Sequence, residues 1–372
     1  MRNLLSWTKW LYNPGHLCFV AEQAESVLQL LKKNYPVSVS LEMSTDLVNW
    51  SDYTIWNTIS LDNVWDKVYL RNKSTTDTWF GIGKDDYYNF VGTWKIACHW
   101  DIGYLLNKNS TDTLSTGCFA KLFYGADWLT SAPALPSRKI AERCYNYMFN
   151  GCSSLTEAPD LPATKLYEYC YAYMFQNCTS LTKVPDLPAL TLPNWAYQWM
   201  FYWCSSLVNA PIISATEVGR AALSGTFRDC TSLVTPPALP AMTIGQYWYS
   251  RIFQWCTSLK YAPVLPADNV WVYWYEHMFD WCTNLEQLPA LPATFLTGFC
   301  YFYMFYGCSK IKLSTFPGWE YVNEYRIPIA WTWSKATSET KPMEWMFTNT
   351  WWSWKGEPSM NTTYYTSNTV VS

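Results

Sequence analysis

The sequence predicts a repeat solenoid of eight 26-residue units with short strands and short helical turns, preceded by a small β-sandwich-like domain. Three observations carry that prediction. Cys152, Cys178, Cys204, Cys230, Cys256, Cys282 and Cys308 fall at an unbroken spacing of 26 residues. Phenylalanine recurs at the same spacing from Phe123 to Phe305, and leucine from Leu129 to Leu285. Before residue 114 the texture changes to short runs of alternating apolar residues.

Residues 1–113 read as an N-terminal β-rich domain, sandwich-like over residues 15 to 105. Apolar side chains alternate in Val37–Val39–Leu41–Met43, Ile59–Leu61 and Val68–Leu70. Turn-forming clusters separate them, at Ser44–Thr45–Asp46 and from Asn72 to Asp77. Ser44–Thr45–Asp46 with Trp50 has part of the aspartate-box pattern of glycan-active β-proteins. It lacks the glycine and is one residue short, so an ordinary β-turn is expected. Gly81–Ile82–Gly83–Lys84 lacks the spacing of a phosphate loop. The start, Met1–Arg2–Asn3–Leu4–Leu5, is interrupted by Lys9, Asn13 and Pro14. Neither a signal peptide nor a transmembrane segment is read there.

Residues 114–325 form the repeat. Rows of 26 start at Cys118, Cys144, Cys170, Ala196, Ala222, Trp248, Trp274 and Cys300. The sixth column is Phe in every row, and the twelfth is Leu until Ile311. Proline fills the sixteenth column from Pro133 to Pro289, and a later apolar column runs from Ile140 through Ile244 to Val322. The segment Y-x-Y-M-F-x-x-C reads as a short helical or irregular turn. The segment S-L-x-x-A-P-x-L-P reads as a brief strand, because proline removes a ladder donor. One such row cannot bury its apolar face, whereas stacked rows can.

The words Met148–Phe149–Asn150–Gly151–Cys152–Ser153–Ser154–Leu155 and Ala158–Pro159–Asp160–Leu161–Pro162–Ala163 recur at Met174–Ala189 and Met278–Ala293. This pattern resembles the BspA-like leucine-rich repeats of bacterial surface proteins and some phage proteins, over roughly residues 114 to 325. The resemblance implies an adhesion or interaction role. Residues 326–372 leave the register and read as a C-terminal cap ending in the strand-like run Thr362–Thr366, with Trp351–Trp352 where a linker is expected.

Composition narrows the function. A net charge of −3 without a basic tract argues against nucleic acid as partner. His16, His99 and His277 are scattered, and no metalloprotease or nucleophile-elbow motif is present, so the chain reads as a non-enzyme. Asp160 and Asp186 share the seventeenth column, a pairing that would suit a glycan-active enzyme. That column also accepts Ala134, Ile212 and Phe316, so it reads as a solvated position. Buried thiols repeated with their slot are the expectation for the cysteines; no metal site and no cofactor are expected. The varied columns 13, 14 and 17 are the candidate ligand-binding residues: Thr156, Glu157 and Asp160, then Thr182, Lys183 and Asp186, then Lys260, Tyr261 and Val264. An invariant scaffold carrying a varied strip is how solenoids build extended binding faces. The partner expected is a cell-surface protein or glycan, without membrane insertion, and residues 1–113 are an attachment region. A secreted adhesin needs an export signal, which favours a phage virion component with a host-recognition role, or a truncated cell-surface protein. A structural spacer or assembly protein is the alternative.

Tryptophan is anomalous, at 24 residues against 15 glycines. The eighth column reads Gly125, Gly151, Asn177, Trp203, Asp229, Trp255, Trp281 and Gly307. Gly, Asn and Asp tolerate a left-handed backbone and Trp does not. Three explanations stand side by side. The first is that exposed indoles decorate a binding surface; the second is that the turns are right-handed and Trp packs between rows; the third is that UGA codons, one base from a glycine codon, are read as Trp where the organism inserts Gly. Trp248 and Trp274 stand at Cys positions, and Cys codons also neighbour UGA.

Overall fold

Alternating apolar residues build two small sheets at the start of the chain. The computed structural model describes residues 15–34, 39–76, 80, 85–109, 112–239, 247–265, 269–293, 295–296, 298–327, 342–352, 358–359, 362–371. Met1–Pro14, Val37, Asp77, Gly81–Lys84 and Ile244, named above, lie outside them. Two units are each described by themselves, Met1–Pro185 and Asp186–Ser372.

In the first unit the strands are β1 (Leu17–Ala21), β2 (Ser26–Lys33), β3 (Leu41–Ser44), β4 (Ser51–Tyr53), β5 (Thr58–Leu61), β6 (Lys67–Asn72), β7 (Tyr87–Thr93), β8 (Ile96–His99) and β9 (Leu129–Ser131). One sheet has the order β4-β3-β6-β1-β8-β9 and the other β5-β2-β7. All pairings are antiparallel except β8 with β9, where the sheet runs on into the repeats. Alternation in β2 turns Leu28 and Leu30 inward and leaves Gln29 and Leu31 half-buried. Phe19 of β1 meets Phe90 of β7 at 4.9 Å, so the two sheets share a core. Phe90 then stacks on Phe123 at 5.4 Å, Phe123 on Phe149 at 5.5 Å and Phe149 on Phe175 at 5.5 Å. The near-match to an aspartate box is the β3–β4 turn. Asp46 Oδ1 accepts the N–H groups of Val48 and Asn49, and Ser44 Oγ accepts that of Leu47. These bonds, from Asn49 first, hold the Asp46 carboxyl below the usual carboxylate range.

The repeats are of leucine-rich type, with strands and almost no helix. Short helical turns are not found. The single helical segment among the described residues is a 3₁₀ turn at Ile102–Leu105. Each Y-x-Y-M-F stretch is instead a ribbon of overlapping β-turns. Even-numbered residues bond three back along the chain: Asn146 N–H to Arg143 O, Met148 to Tyr145 O, Asn150 to Tyr147 O. Odd-numbered residues bond to the next repeat: Tyr145 to Cys170 O, Tyr147 to Ala172 O, Phe149 to Met174 O, Gly151 to Gln176 O. Every fourth residue is left-handed, as at Arg143, Tyr147 and Gly151 with φ of 57°, 57° and 81°. That breaks any helix after one turn and supplies the positive φ a type II turn needs at its third residue.

The proline column keeps strands to a few residues. Parallel bridges join Glu157 to Lys183 in the first unit and Leu187 to Ile213 in the second. Thr191–Leu192 pairs with Glu217–Val218. In the second unit Phe201, Phe227, Phe253, Phe279, Phe305 and Phe347 form a buried stack at 5.3–6.0 Å. Phe347 belongs to a ninth ribbon, where Tyr301, Tyr303, Phe305 and Gly307 donate to Pro342, Glu344, Met346 and Thr348. Trp351–Trp352, expected as linker, is a strand parallel to Lys312–Leu313, because Trp351 N–H is held by Ile311 O. Thr363–Thr366 pairs antiparallel with Asn323–Arg326, and Thr369–Val371 runs parallel to Gln287–Pro289.

Candidate binding faces

The backbone of columns 13 and 14 is consumed in joining one repeat to the next, which aims the side chains at solvent. In the first unit Thr156 O accepts from Thr182 N at 3.0 Å and Lys183 N at 3.3 Å, and Lys183 O accepts from Ala158 N at 2.9 Å. Thr182 Oγ1 also donates to Thr156 O. Thr156, Glu157, Thr182 and Lys183 are thereby brought side by side, all exposed, with Asp160 exposed beyond Pro159. The pad offers two hydroxyls, two carboxylates and one ammonium group, a donor and acceptor set suited to a polar ligand.

In the second unit Asp186, Lys260, Tyr261 and Val264 are likewise exposed. They are not one cluster, since Lys260 stands three rows beyond Asp186 in the sequence. Asp186 is also structural: its Oδ1 accepts the N–H of Ile212 at 3.0 Å. Lys260 O accepts from Glu286 N and Gln287 N, and Val234 N donates to Val208 O. Val208, 44% exposed, and Glu286 therefore continue the strip that holds Lys260. Their column number was the signal that could have found them.

A second face lies on the turn ribbons and was not singled out from sequence. Tyr147 stacks on Tyr173 at 4.4 Å, with Lys121 Nζ over the Tyr147 ring. In the second unit Tyr247 stacks on Tyr273 at 4.9 Å and His277 on Tyr303 at 4.7 Å. Stacked rings leave only their edges to solvent, so this face offers no open aromatic plane between neighbours. Burial raises the Tyr147 and Tyr173 phenols, which keeps the hydroxyls neutral.

The thirteen cysteines are buried thiols. Six of the thiols in the ninth column share one role beyond filling space. Cys152 Sγ donates to Phe123 O at 3.2 Å, Cys178 to Phe149 O at 3.1 Å, and Cys230, Cys256, Cys282 and Cys308 to the Phe carbonyls 29 residues earlier. Burial pushes Cys144 and Cys170 up to about 12, and pushes Cys152, Cys178, Cys230, Cys256, Cys282 and Cys308 upward as well. A protonated, enclosed thiol is neither nucleophile nor metal ligand. Among the described residues no group of three or more His, Cys, Asp or Glu is placed to hold a metal.

His277, isolated in sequence, lies among polar groups in the second unit. Its Nδ1 is 2.8 Å from Asp280 Oδ2, which also accepts from Gln254 Nε2 at 2.7 Å. Ser250 Oγ and Arg251 Nη2 both donate to Glu276. The serine hydroxyl is thus committed to a carboxylate and is not aligned on the imidazole, as a Ser–His pair for nucleophilic attack requires. Among the described residues no helix is long and apolar enough to cross a membrane.

Short parallel strands, in-register repeats and buried Leu, Phe and Cys columns define repeats of leucine-rich type. Residues 120–260 match the model of the BspA type leucine rich repeat region, in 6 copies, and this part of the chain is such a region. No curated protein and no solved structure matched the chain.

Proposed function

We propose that this chain is a non-enzymatic recognition protein that binds a cell-surface protein or glycan through the strand-side residues of its repeats. In this reading residues 114–325 are an eight-row solenoid and residues 1–113 a β-sandwich-like attachment domain, the whole serving a virion or a cell surface. One observation carries the proposal: the nine candidate residues of columns 13, 14 and 17 are all exposed, and the backbone of columns 13 and 14 spends its hydrogen bonds between repeats. Side chains there, Asp186 apart, can change while the backbone bonds between repeats stay in place, which is the condition for evolving a ligand-specific face. The family match supports a surface or protein-binding role at a coarser level.

The test uses a glycan array and a panel of intact bacterial cells as probes. Lys183→Ala, Lys260→Ala and Tyr261→Ala, combined, are expected to weaken binding at least tenfold with no change in melting temperature. Unaltered binding by a variant of unaltered stability would sink the proposed face. A spacer would instead engage a fixed neighbour through residues 1–113, so a truncation that keeps binding but loses assembly would favour that role.

A further inference from the structure

Among the described residues ten tryptophans have a left-handed backbone: Trp56, Trp65, Trp94, Trp100, Trp195, Trp199, Trp203, Trp255, Trp281 and Trp345. A side chain with a Cβ adopts that region rarely, and a bulky one more rarely still. Right-handed turns, one of the three explanations above, are therefore not what these ten tryptophans occupy.

Position matters more than number. Trp195 and Trp199 stand in columns where Tyr169, Tyr173 and Tyr303 are also left-handed, so an aromatic residue is ordinary there. The eighth column is different. Its φ values are 72° at Gly125, 81° at Gly151, 62° at Asn177, 65° at Trp203, 58° at Asp229, 65° at Trp255, 60° at Trp281 and 71° at Gly307. The geometry is imposed by the repeat. Gly125 N–H reaches Asn150 O at 2.7 Å, and Trp203, Asp229, Trp255 and Trp281 make the same bond to Arg228, Gln254, Asp280 and Tyr306 at 2.7–2.9 Å. Packing agrees. A Cβ on Gly151 would come within 3.3 Å of Gly125 Cα, so backbone lies on backbone there. One on Gly307 would be 2.8 Å from the ring of Trp281, so the indole takes the room that its neighbour leaves empty.

The N-terminal domain repeats the anomaly in an unrelated setting. Asn57 N–H closes a turn on Thr54 O, with Trp56 third at φ 81°. Asp66 N–H closes another on Asn63 O, with Trp65 third at φ 76°. A type II turn requires φ near +80° at its third residue and places glycine there. Both indoles are more than half exposed, so burial does not compensate.

We infer that positions 56, 65, 203, 255 and 281 are glycine in the protein as its own organism makes it, the codon being UGA read as glycine. The eighth-column indoles, exposed at Trp203 and Trp255 and half-buried at Trp281, then take no part in recognition, and the ligand face is left to the strand-side strip. The test reads the five codons in the gene and then sequences by tandem mass spectrometry the peptides of the protein isolated from its natural source. UGA at all five, with glycine masses in the peptides, is the expected result. UGG at any of the five, or a tryptophan mass opposite UGA, overturns the inference.

Discussion

Replacing Trp65 by glycine should stabilise the chain, although it deletes the largest side chain a protein can carry. Trp65 has φ 76° and its side chain is 66% exposed, so the indole contributes little packing. A left-handed backbone costs an L-residue roughly 1–2 kcal/mol. Glycine removes that cost but forfeits roughly 0.5–1 kcal/mol through the freer unfolded chain. The net gain spans about 0–1.5 kcal/mol and centres near roughly 0.75 kcal/mol, which is roughly 1–3 °C in melting temperature for a unit of this size. Trp128 is the control. It is 3% exposed, its ring lies 6.4 Å from that of Phe123, and it covers Gly92. Trp128→Gly should cost at least about 3 kcal/mol. Thermal unfolding followed by far-ultraviolet circular dichroism compares the two variants with the parent chain. A lower melting temperature for Trp65→Gly would refute the claim that backbone strain outweighs indole contacts at this turn.

Phe253→Ala should lose about 3–5 kcal/mol, because its fully buried ring stacks on both Phe227 and Phe279; urea unfolding measures it. The thiols should resist iodoacetamide in the native protein and all thirteen should react once it is denatured; early alkylation of a ninth-column cysteine would contradict its enclosure. The contribution of the buried thiols should be constant from neutral pH to about pH 8, and stability should fall as pH rises from 9 towards 12. Cys144 and Cys170 titrate near 9 when unfolded but near 12 when folded, so above pH 9 the unfolded chain binds fewer protons. Melting temperatures across that range in reducing buffer check the slope, and a rise would be the wrong sign.

The columns of Phe, Leu, Cys and Pro were legible because each fills one slot of a strict period. The exposure of Thr156, Lys183 and Lys260 followed from their variation between rows. What the sequence hid has particular causes. The turn ribbon looked helical because its left-handed residues at Arg143, Tyr147 and Tyr173 are not glycines. The thiol-to-carbonyl bonds span 29 residues, three more than the period, so no row-by-row alignment displays them. The ninth ribbon around Phe347 escaped because residues 326–341 interrupt the count. The stacked tyrosines and the His277 network depend on which side chains neighbouring rows bring together, a matter of three-dimensional register.

The alternate-residue bonding of the ribbons has a consequence for how such a chain changes length. Each interior ribbon offers its successor the same sequence of carbonyls and receives the same N–H groups. Removing 26 residues between equivalent points, such as Cys230 and Cys256, joins ends that already match, and duplicating them does the same. Slippage or recombination in the gene can therefore add or drop whole rows without a frame or register error. The number of exposed rows becomes a heritable quantity that varies in steps of one repeat.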